Sequence, residues 1–219
     1  MNDNVAEELE KLGYWQKTYS KPNVFGVGPT KLAKISYKVM KENKIKNILE
    51  LGCGQGRDGV FFAKKNFVVT ATDNSVDAVN FVKKYIIDQK ISNLQVMIQD
   101  LKKEFKFNEK FDCVYSNLAL QFFNEKELMS IFRKITLYLN DKGLLIFSTK
   151  KPGDKYHKLG EKISENAYKI RGMTRYFFDK EIILNLVNQQ FKVSVIDEES
   201  HENLDKSISS WWYVIAKKV

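Results

Sequence analysis

The apolar positions of this chain change period repeatedly. Residues 3 to 13 and 30 to 43 carry apolar side chains at helical spacing, the second run opened by Pro29-Thr30. Between them, Trp15 to Gly28 reads as an aromatic, glycine-punctuated loop. Asn47 to Leu51 is then a short apolar strand, followed by the glycine-rich run Gly52-Cys53-Gly54-Gln55-Gly56 and a helix through Val60 to Ala63. Phe67 to Thr72 predicts a second strand. Ser75 to Gln89 predicts a helix with Val76, Val79, Val82 and Ile86 on one face. The alternation continues with strands at Leu94 to Ile98 and Phe111 to Ser116, a helix over Glu125 to Leu139, and a strand over Leu144 to Ser148 after the turn Asp141-Lys142-Gly143. Strands alternating with helices imply a parallel sheet with right-handed crossovers and helices on both faces. The last third differs. Lys150 to Arg175 is a polar segment and Asp179 to Gln190 a helix. Phe191 to Asp197 and Trp211 to Ala216 are strands joined too closely for a crossover helix, so they should pair antiparallel at the sheet edge. The expected fold class is α/β: a doubly wound, mostly parallel, seven-stranded sheet with an antiparallel C-terminal edge strand.

No repeat, low-complexity stretch or proline-rich linker interrupts the 219 residues, so one domain is expected over 1–219. Within it, 1–43 supplies N-terminal helices and a lid, 44–149 the ligand-binding core, and 150–219 an insertion with the C-terminal strands. The formal net charge of +9 invites a nucleic-acid partner. Of the 36 basic residues, however, only Arg57, Arg133, Arg171 and Arg175 are arginine, and the lysines are scattered along the whole chain. A nucleic-acid substrate is therefore not expected. No apolar run approaches the ~18 to 20 residues of a membrane helix, and Met1 to Gly13 is acidic and amphipathic, unlike a secretory signal, so a cytoplasmic protein is expected. Cys53 and Cys113, the two cysteines, lack ligand spacing, so no metal and no disulfide is expected.

In an open α/β sheet, ligands bind beyond the carboxyl ends of the strands, and unusual residues cluster there in the sequence. Gly52, Gly54 and Gly56 remove side chains where a strand turns into a helix, which lets the backbone approach a bound molecule. Asp73, directly after the second strand, is placed to accept hydrogen bonds from two ribose hydroxyls. Asp100-Leu101, after the third, offers an acceptor for an adenine amino group and cover for one ring face. Asn117 and Leu118 close the pocket after the fourth.

Glu50-Leu51-Gly52-Cys53-Gly54-Gln55-Gly56-Arg57-Asp58, with Asp73 and Gln99-Asp100-Leu101 at their spacings, resembles the class I S-adenosylmethionine-dependent methyltransferases over nearly the whole chain. The Gly-Gln-Gly-Arg-Asp variant, the Trp15-to-Tyr19 segment and the terminal Trp-Trp-Tyr-Val-Ile-Ala-Lys-Lys run are similar to the subgroup of tellurite-resistance and thiopurine methyltransferases. The resemblance implies S-adenosylmethionine as cofactor, with S-adenosylhomocysteine as product. It places the glycine loop, through Gly52 and Gly54, on the methionine part, Asp73 on the ribose and Asp100 on the adenine, with Glu50, Cys53, Gly56, Asn74, Leu101, Asn117 and Leu118 completing the expected cofactor site. It further implies that the N-terminal segment folds over the cofactor, with Trp15 as cover and Tyr19 reaching the methionine carboxylate. Arg57 either serves the same anion or makes a surface ion pair.

A competing reading remains open, because Gly54-Gln55-Gly56-Arg57-Asp58-Gly59 also satisfies the GxGxxG pattern of nicotinamide-dependent oxidoreductases. Against it, Gly52-Cys53 intervenes between strand and motif. Methylation of nucleic acid or protein is the other alternative; Ser116-Asn117-Leu118-Ala119 lacks the Pro-Pro-aromatic motif of nucleic-acid amino-methyltransferases. The expected acceptor is a small molecule in a lidded pocket formed by residues 14–28, 117–123 and 150–176, with Phe25, Gln121, Phe122, Lys150, His157, Arg175 and Tyr176 as acceptor-pocket candidates. Phe122 and Trp211 are expected mainly as core packing, His157 and His201 as solvated loop residues, and Cys113 as a buried core thiol. No catalytic base and no oligomeric state is readable.

Overall fold

The computed structural model describes residues 12–219. Helix α1 runs through residues 12–19, so Trp15 and Tyr19, read from sequence as loop, stand one turn apart with their rings stacked at 5.5 Å. An aromatic pair at this spacing supports a helix, and the loop starts only at Ser20. The part of the expected helix over 3 to 13 that precedes residue 12 lies outside the described residues.

The alternating elements follow as α2 (Lys31–Glu42), β1 (Asn47–Leu51), α3 (Arg57–Lys64), β2 (Val68–Asp73), α4 (Val76–Asp88), β3 (Leu94–Ile98), β4 (Phe111–Asn117), α5 (Glu125–Tyr138) and β5 (Leu139–Lys150). Their starts have local causes. The Thr30 and Ser75 hydroxyls accept from the Ala33 and Ala78 amides, and Asn124 and Glu127 form a reciprocal capping box. Strand order in the large sheet is β3-β2-β1-β4-β5-β10-β9, where β9 is Phe191–Glu202 and β10 Ile208–Lys218. Alternate residues of one strand feed opposite layers. Leu49, Val114, Leu145 and Phe147 pack towards α5 and α6 (Lys180–Val187), while Ile48, Cys113, Tyr115 and Ile146 pack towards α2, α3 and α4.

The two C-terminal strands pair antiparallel at the sheet edge as expected, with β10 seated between β5 and the outermost β9, and two features elsewhere differ from the sequence reading. Val214, Ile215 and Ala216 are buried, whereas β9 carries Asp197, Glu198, Glu199 and Glu202, so the charged strand takes the solvent edge. Strand β5 begins at Leu139, pairs there with Phe111, and shifts register before Leu144. The polar segment after Lys150 contains an antiparallel meander of β6 (Glu161–Ser164), β7 (Ala167–Ile170) and β8 (Met173–Tyr176). β7 and β8 are joined by Arg171-Gly172, both at positive φ, as a two-residue hairpin loop requires. Among the described residues no helix is long and apolar enough to cross a membrane.

Candidate active site

Strand order reverses between β1 and β4, and a cavity of about 1400 Å³ opens at that point along the carboxyl ends of the strands. Sites for one small ligand usually occupy about 300 to 1,000 Å³, so this one has room for two molecules side by side.

The glycine loop forms the floor. The amides of Gly52 and Cys53 both donate to the Thr72 carbonyl at 2.8 Å, and Gly56 donates to Cys53 at 2.9 Å, which closes the turn into α3. The Gly54 amide is taken by Asp73 Oδ2 at 2.8 Å, while Asp73 Oδ1 accepts from Ser75 at 2.9 Å. Asp73 thus clamps the loop, and its carboxylate keeps acceptor capacity beyond these bonds. Gly54 has φ +52°, and a Cβ there would stand 2.8 Å from the Tyr19 hydroxyl, so a side chain at this position would be strained and would displace that ring. Burial raises the Asp73 carboxyl from its ordinary range against the pull of the Ser75, Gly54 and Asn74 amides. Glu50 is pushed up further, first by burial and then by the charges of Asp58 and Asp73, and its Oε2 is buried without a hydrogen-bond partner. Cys53 and Cys113 are buried, and burial raises both thiols, which favours their protonated form.

Behind the loop, Asp58 on α3 gathers three donors. Thr30 N and Oγ1 reach its carboxylate at 2.8 and 2.7 Å, and the Tyr115 hydroxyl of β4 donates at 2.7 Å. The start of α2, the first turn of α3 and β4 are fastened at one buried anion. On the far side, Asp100 Oδ1 accepts from Lys102 N at 2.9 Å, and Leu101 is buried beneath that turn. The Lys134 ammonium of α5 donates to the carbonyls of Leu101 and Lys103 at 2.5 and 2.8 Å and fixes the turn from below. After β4, Ser148 Oγ donates to Asn117 Oδ1 at 2.6 Å and receives the Leu118 amide at 3.0 Å.

The segment 20–28 crosses the mouth, held by two side chains of the glycine loop region. Gln55 donates to the Lys21 carbonyl at 2.7 Å and accepts from Val24 N at 3.0 Å; Arg57 donates to the carbonyls of Gly28, at 2.7 Å, and Phe25. Arg57 therefore makes no carboxylate ion pair among the described residues, as one of its two sequence readings required. Trp15 packs on Tyr19, Phe25 and, edge-on at 5.1 Å, Phe122. Burial, and after it the Asp73 charge, raises the Tyr19 hydroxyl from its usual range.

At the opposite end, Gln121, Phe122, Lys150, Tyr156, Arg175 and Trp211 line the same cavity. Phe122 and Trp211, expected as core, are wall residues, Phe122 on the short turn that follows β4 and Trp211 in the first half of β10. His157 and Tyr176 do not line the cavity. The His157 ring lies against Tyr168 and Phe177, and Tyr176 stacks on Phe178, because the meander folds both towards its own packing. His201 is not in a loop but on β9, and it lines the cavity with Glu199, which pairs with Lys31 at 2.9 Å. All of the other candidates named from sequence border the cavity. Asp58, Thr30 and Tyr115 carry no sequence signal as a unit, since their contacts span 28 to 85 residues. Tyr156 likewise is marked by no motif.

The sequence model of the family described as "Methyltransferase domain" matches residues 48–143, the stretch from β1 into the start of β5. Malonyl-acyl-carrier-protein O-methyltransferase 2 of Ilyobacter polytropus is 26% identical over 172 residues, covering 76% of this chain and 62% of that protein. The chain spans about six-tenths of the length of this relative and of its sister enzyme. The probable S-adenosyl-L-methionine-dependent methyltransferase TehB of Haemophilus influenzae is 24% identical over 93 residues, covering 42% of this chain and 32% of that one. Among solved structures, the N-methyltransferase NodS of Bradyrhizobium japonicum WM9, in complex with S-adenosyl-l-homocysteine, shares the fold with a TM-score of 0.71 at 12% identity, over 95% of this chain and 98% of that one.

Proposed function

We propose that this chain, which belongs to the class I S-adenosylmethionine-dependent methyltransferases, moves a methyl group from S-adenosylmethionine to a small-molecule acceptor by in-line displacement. One observation carries the choice of cofactor. In a dinucleotide site the glycine-loop amides face a pyrophosphate, but here the Gly54 amide is spent on Asp73 and the Gly56 amide on the Cys53 carbonyl. The loop therefore offers a pyrophosphate few free donors and sets the Asp73 carboxylate beside it. A carboxylate there disfavours a double anion and suits a ligand carrying a sulfonium and an ammonium.

S-adenosylmethionine, when bound, supplies an electrophilic methyl with a neutral thioether as leaving group, so the protein's task is alignment and exclusion of water. In this reading Gly52, Gly54 and Glu50 hold the methionine end, and the remaining acceptor capacity of Asp73 holds the ribose hydroxyls, with Asn74 beside them. Asp100 and Leu101, on the turn fastened by Lys134, take the adenine, and Asn117 and Leu118 separate cofactor from acceptor. Tyr19, which lies over Gly54, is assigned to the methionine carboxylate in the same reading.

The segment 20–28 and helix α1 act as a lid. Gln55 and Arg57 connect it to the loop that meets the cofactor, so occupancy of the loop is transmitted to the lid through side chains already in contact. Residues 21–28 are exposed, and Phe25 and Val27 are 55% and 77% accessible, which leaves apolar surface for closure to cover. Hydrogen exchange tests both ideas at once. The amides of 20–28 should exchange quickly in the free protein and slow by about tenfold or more with S-adenosylhomocysteine. Equal exchange in both states, with ligand demonstrably bound, would make the segment a fixed wall and remove the lid from the account.

A further inference from the structure

The acceptor end of the cavity has an imbalance of charge. Lys150 and Arg175 are only 6% and 7% accessible, and both line it. The buried carboxylate beside Lys150, Asp154, is committed: Oδ2 takes the Lys150 ammonium and the Ser210 amide at 2.8 Å, and Oδ1 takes the Tyr156 amide at 3.0 Å. Glu199, on the rim, is paired with Lys31. Arg175 is left over. Its Nη1 makes two long bonds to the carbonyls of Ile170 and Met173, at 3.3 and 3.4 Å. No hydrogen bond from Nε or Nη2 exists among the described residues. Phe122 and Tyr156 flank the guanidinium at 5.6 and 5.0 Å from their ring centres. The Lys150 ammonium also feels Arg175, whose charge adds to the burial that lowers it.

A buried cation without a counter-ion is costly. Two aromatic faces offset part of that cost, and the unused edge of the fork matches the geometry of a carboxylate. A second unmet group borders the same space: Gln121 is 5% accessible, lines the cavity, and has Oε1 buried with no hydrogen-bond partner. Gln121 sits on the same turn as the Phe122 that flanks Arg175, and that turn packs against β8, which carries Arg175. One lacks an anion and the other a donor.

We infer that the methyl acceptor is an organic acid: a small molecule whose carboxylate is bound by Arg175 and whose hydroxyl or amine donates to Gln121, with its body between Phe122, Tyr156 and Trp211. This specifies the acceptor for the methyl transfer proposed above and rests on that reading. Arg175 is a binding residue here, orienting the acceptor by its charge, and takes no proton.

The test uses the whole chain saturated with S-adenosylhomocysteine, and calorimetry with salicylate, anthranilate and benzoate against the methyl ester of each. Each acid should bind about 10- to 100-fold more tightly than its ester. Salicylate and anthranilate should exceed benzoate. Arg175→Met should abolish the preference for acid over ester, and Arg175→Lys should keep part of it, with S-adenosylhomocysteine affinity unchanged in both. If Arg175→Met does not fold, the acid-to-ester ratio in the unmodified protein and the lysine variant decide. Acids that bind no better than esters, acids that fail to bind, or a preference that survives Arg175→Met would overturn the inference while leaving the cofactor reading intact. Failure of S-adenosylhomocysteine itself to bind would instead remove the reading beneath it.

Discussion

Asp73→Ala is expected to weaken S-adenosylhomocysteine binding by about 100-fold or more, near 3 kcal/mol, and also to lower folding stability by about 1 to 2 kcal/mol. From sequence alone Asp73 is a ribose ligand whose loss spares the fold. The structure adds a second task, since its carboxylate is the partner of the Gly54 and Ser75 amides, and deleting it leaves both short of an acceptor in a buried site. Affinity therefore falls through two routes, one missing contact to the ligand and one loosened floor. Asp73→Asn separates them, because an amide oxygen still accepts from one backbone N–H while the charge-assisted contact is lost. Calorimetry for binding and urea unfolding for stability read the two effects. A folded Asp73→Ala protein with unchanged affinity would contradict the assignment.

The larger effect on stability belongs to Asp58. Its replacement by alanine should destabilise the protein by about 3 kcal/mol, because the Tyr115 hydroxyl and both Thr30 donors lose their acceptor together. Tyr115 has no accessible surface and water does not replace what is lost there; Thr30 is partly accessible and recovers some of it. Asp58→Asn should cost less, since one acceptor oxygen survives. Urea midpoints measure this, and a loss below about 0.5 kcal/mol, the range of neutral surface changes, would show that the three-way junction is not structural. Because the same junction sets where α2 begins, just after the segment over the mouth, a tolerated variant should also show faster exchange in residues 20–28.

Much of this architecture was legible in the sequence, for a physical reason. Elements whose burial is decided within a few residues announce themselves. The helix expected over Ser75 to Gln89 is α4, with those two residues as its N-cap and C-cap, and β3 falls on the apolar run Leu94 to Ile98. Alternation of strand and helix then dictates a parallel sheet, and the strand ends dictate where to look for a site. What escaped depends on distant partners. Trp15 and Tyr19 look like loop residues beside Pro22 and two glycines, yet their ring stacking continues the helix. The meander after Lys150 escaped because β6 is exposed at every position and all three strands are four residues long, too short for a period to show. Its one local signal was Arg171-Gly172 between Tyr168-Lys169-Ile170 and Met173-Thr174-Arg175, a two-residue hairpin turn. His157 and Tyr176 were assigned to the cavity by position in the chain. That meander turns them away from it and leaves Arg175 facing in.

The central claim is the identity of the cofactor, and titration calorimetry tests it most directly. S-adenosylhomocysteine and S-adenosylmethionine should bind the unmodified protein with Kd in the micromolar range, about 8 kcal/mol, with one site per chain, and NADH should give no heat of binding. Binding of NADH with neither adenosyl ligand bound would contradict the account and return the Gly54-to-Gly59 motif to the oxidoreductase reading.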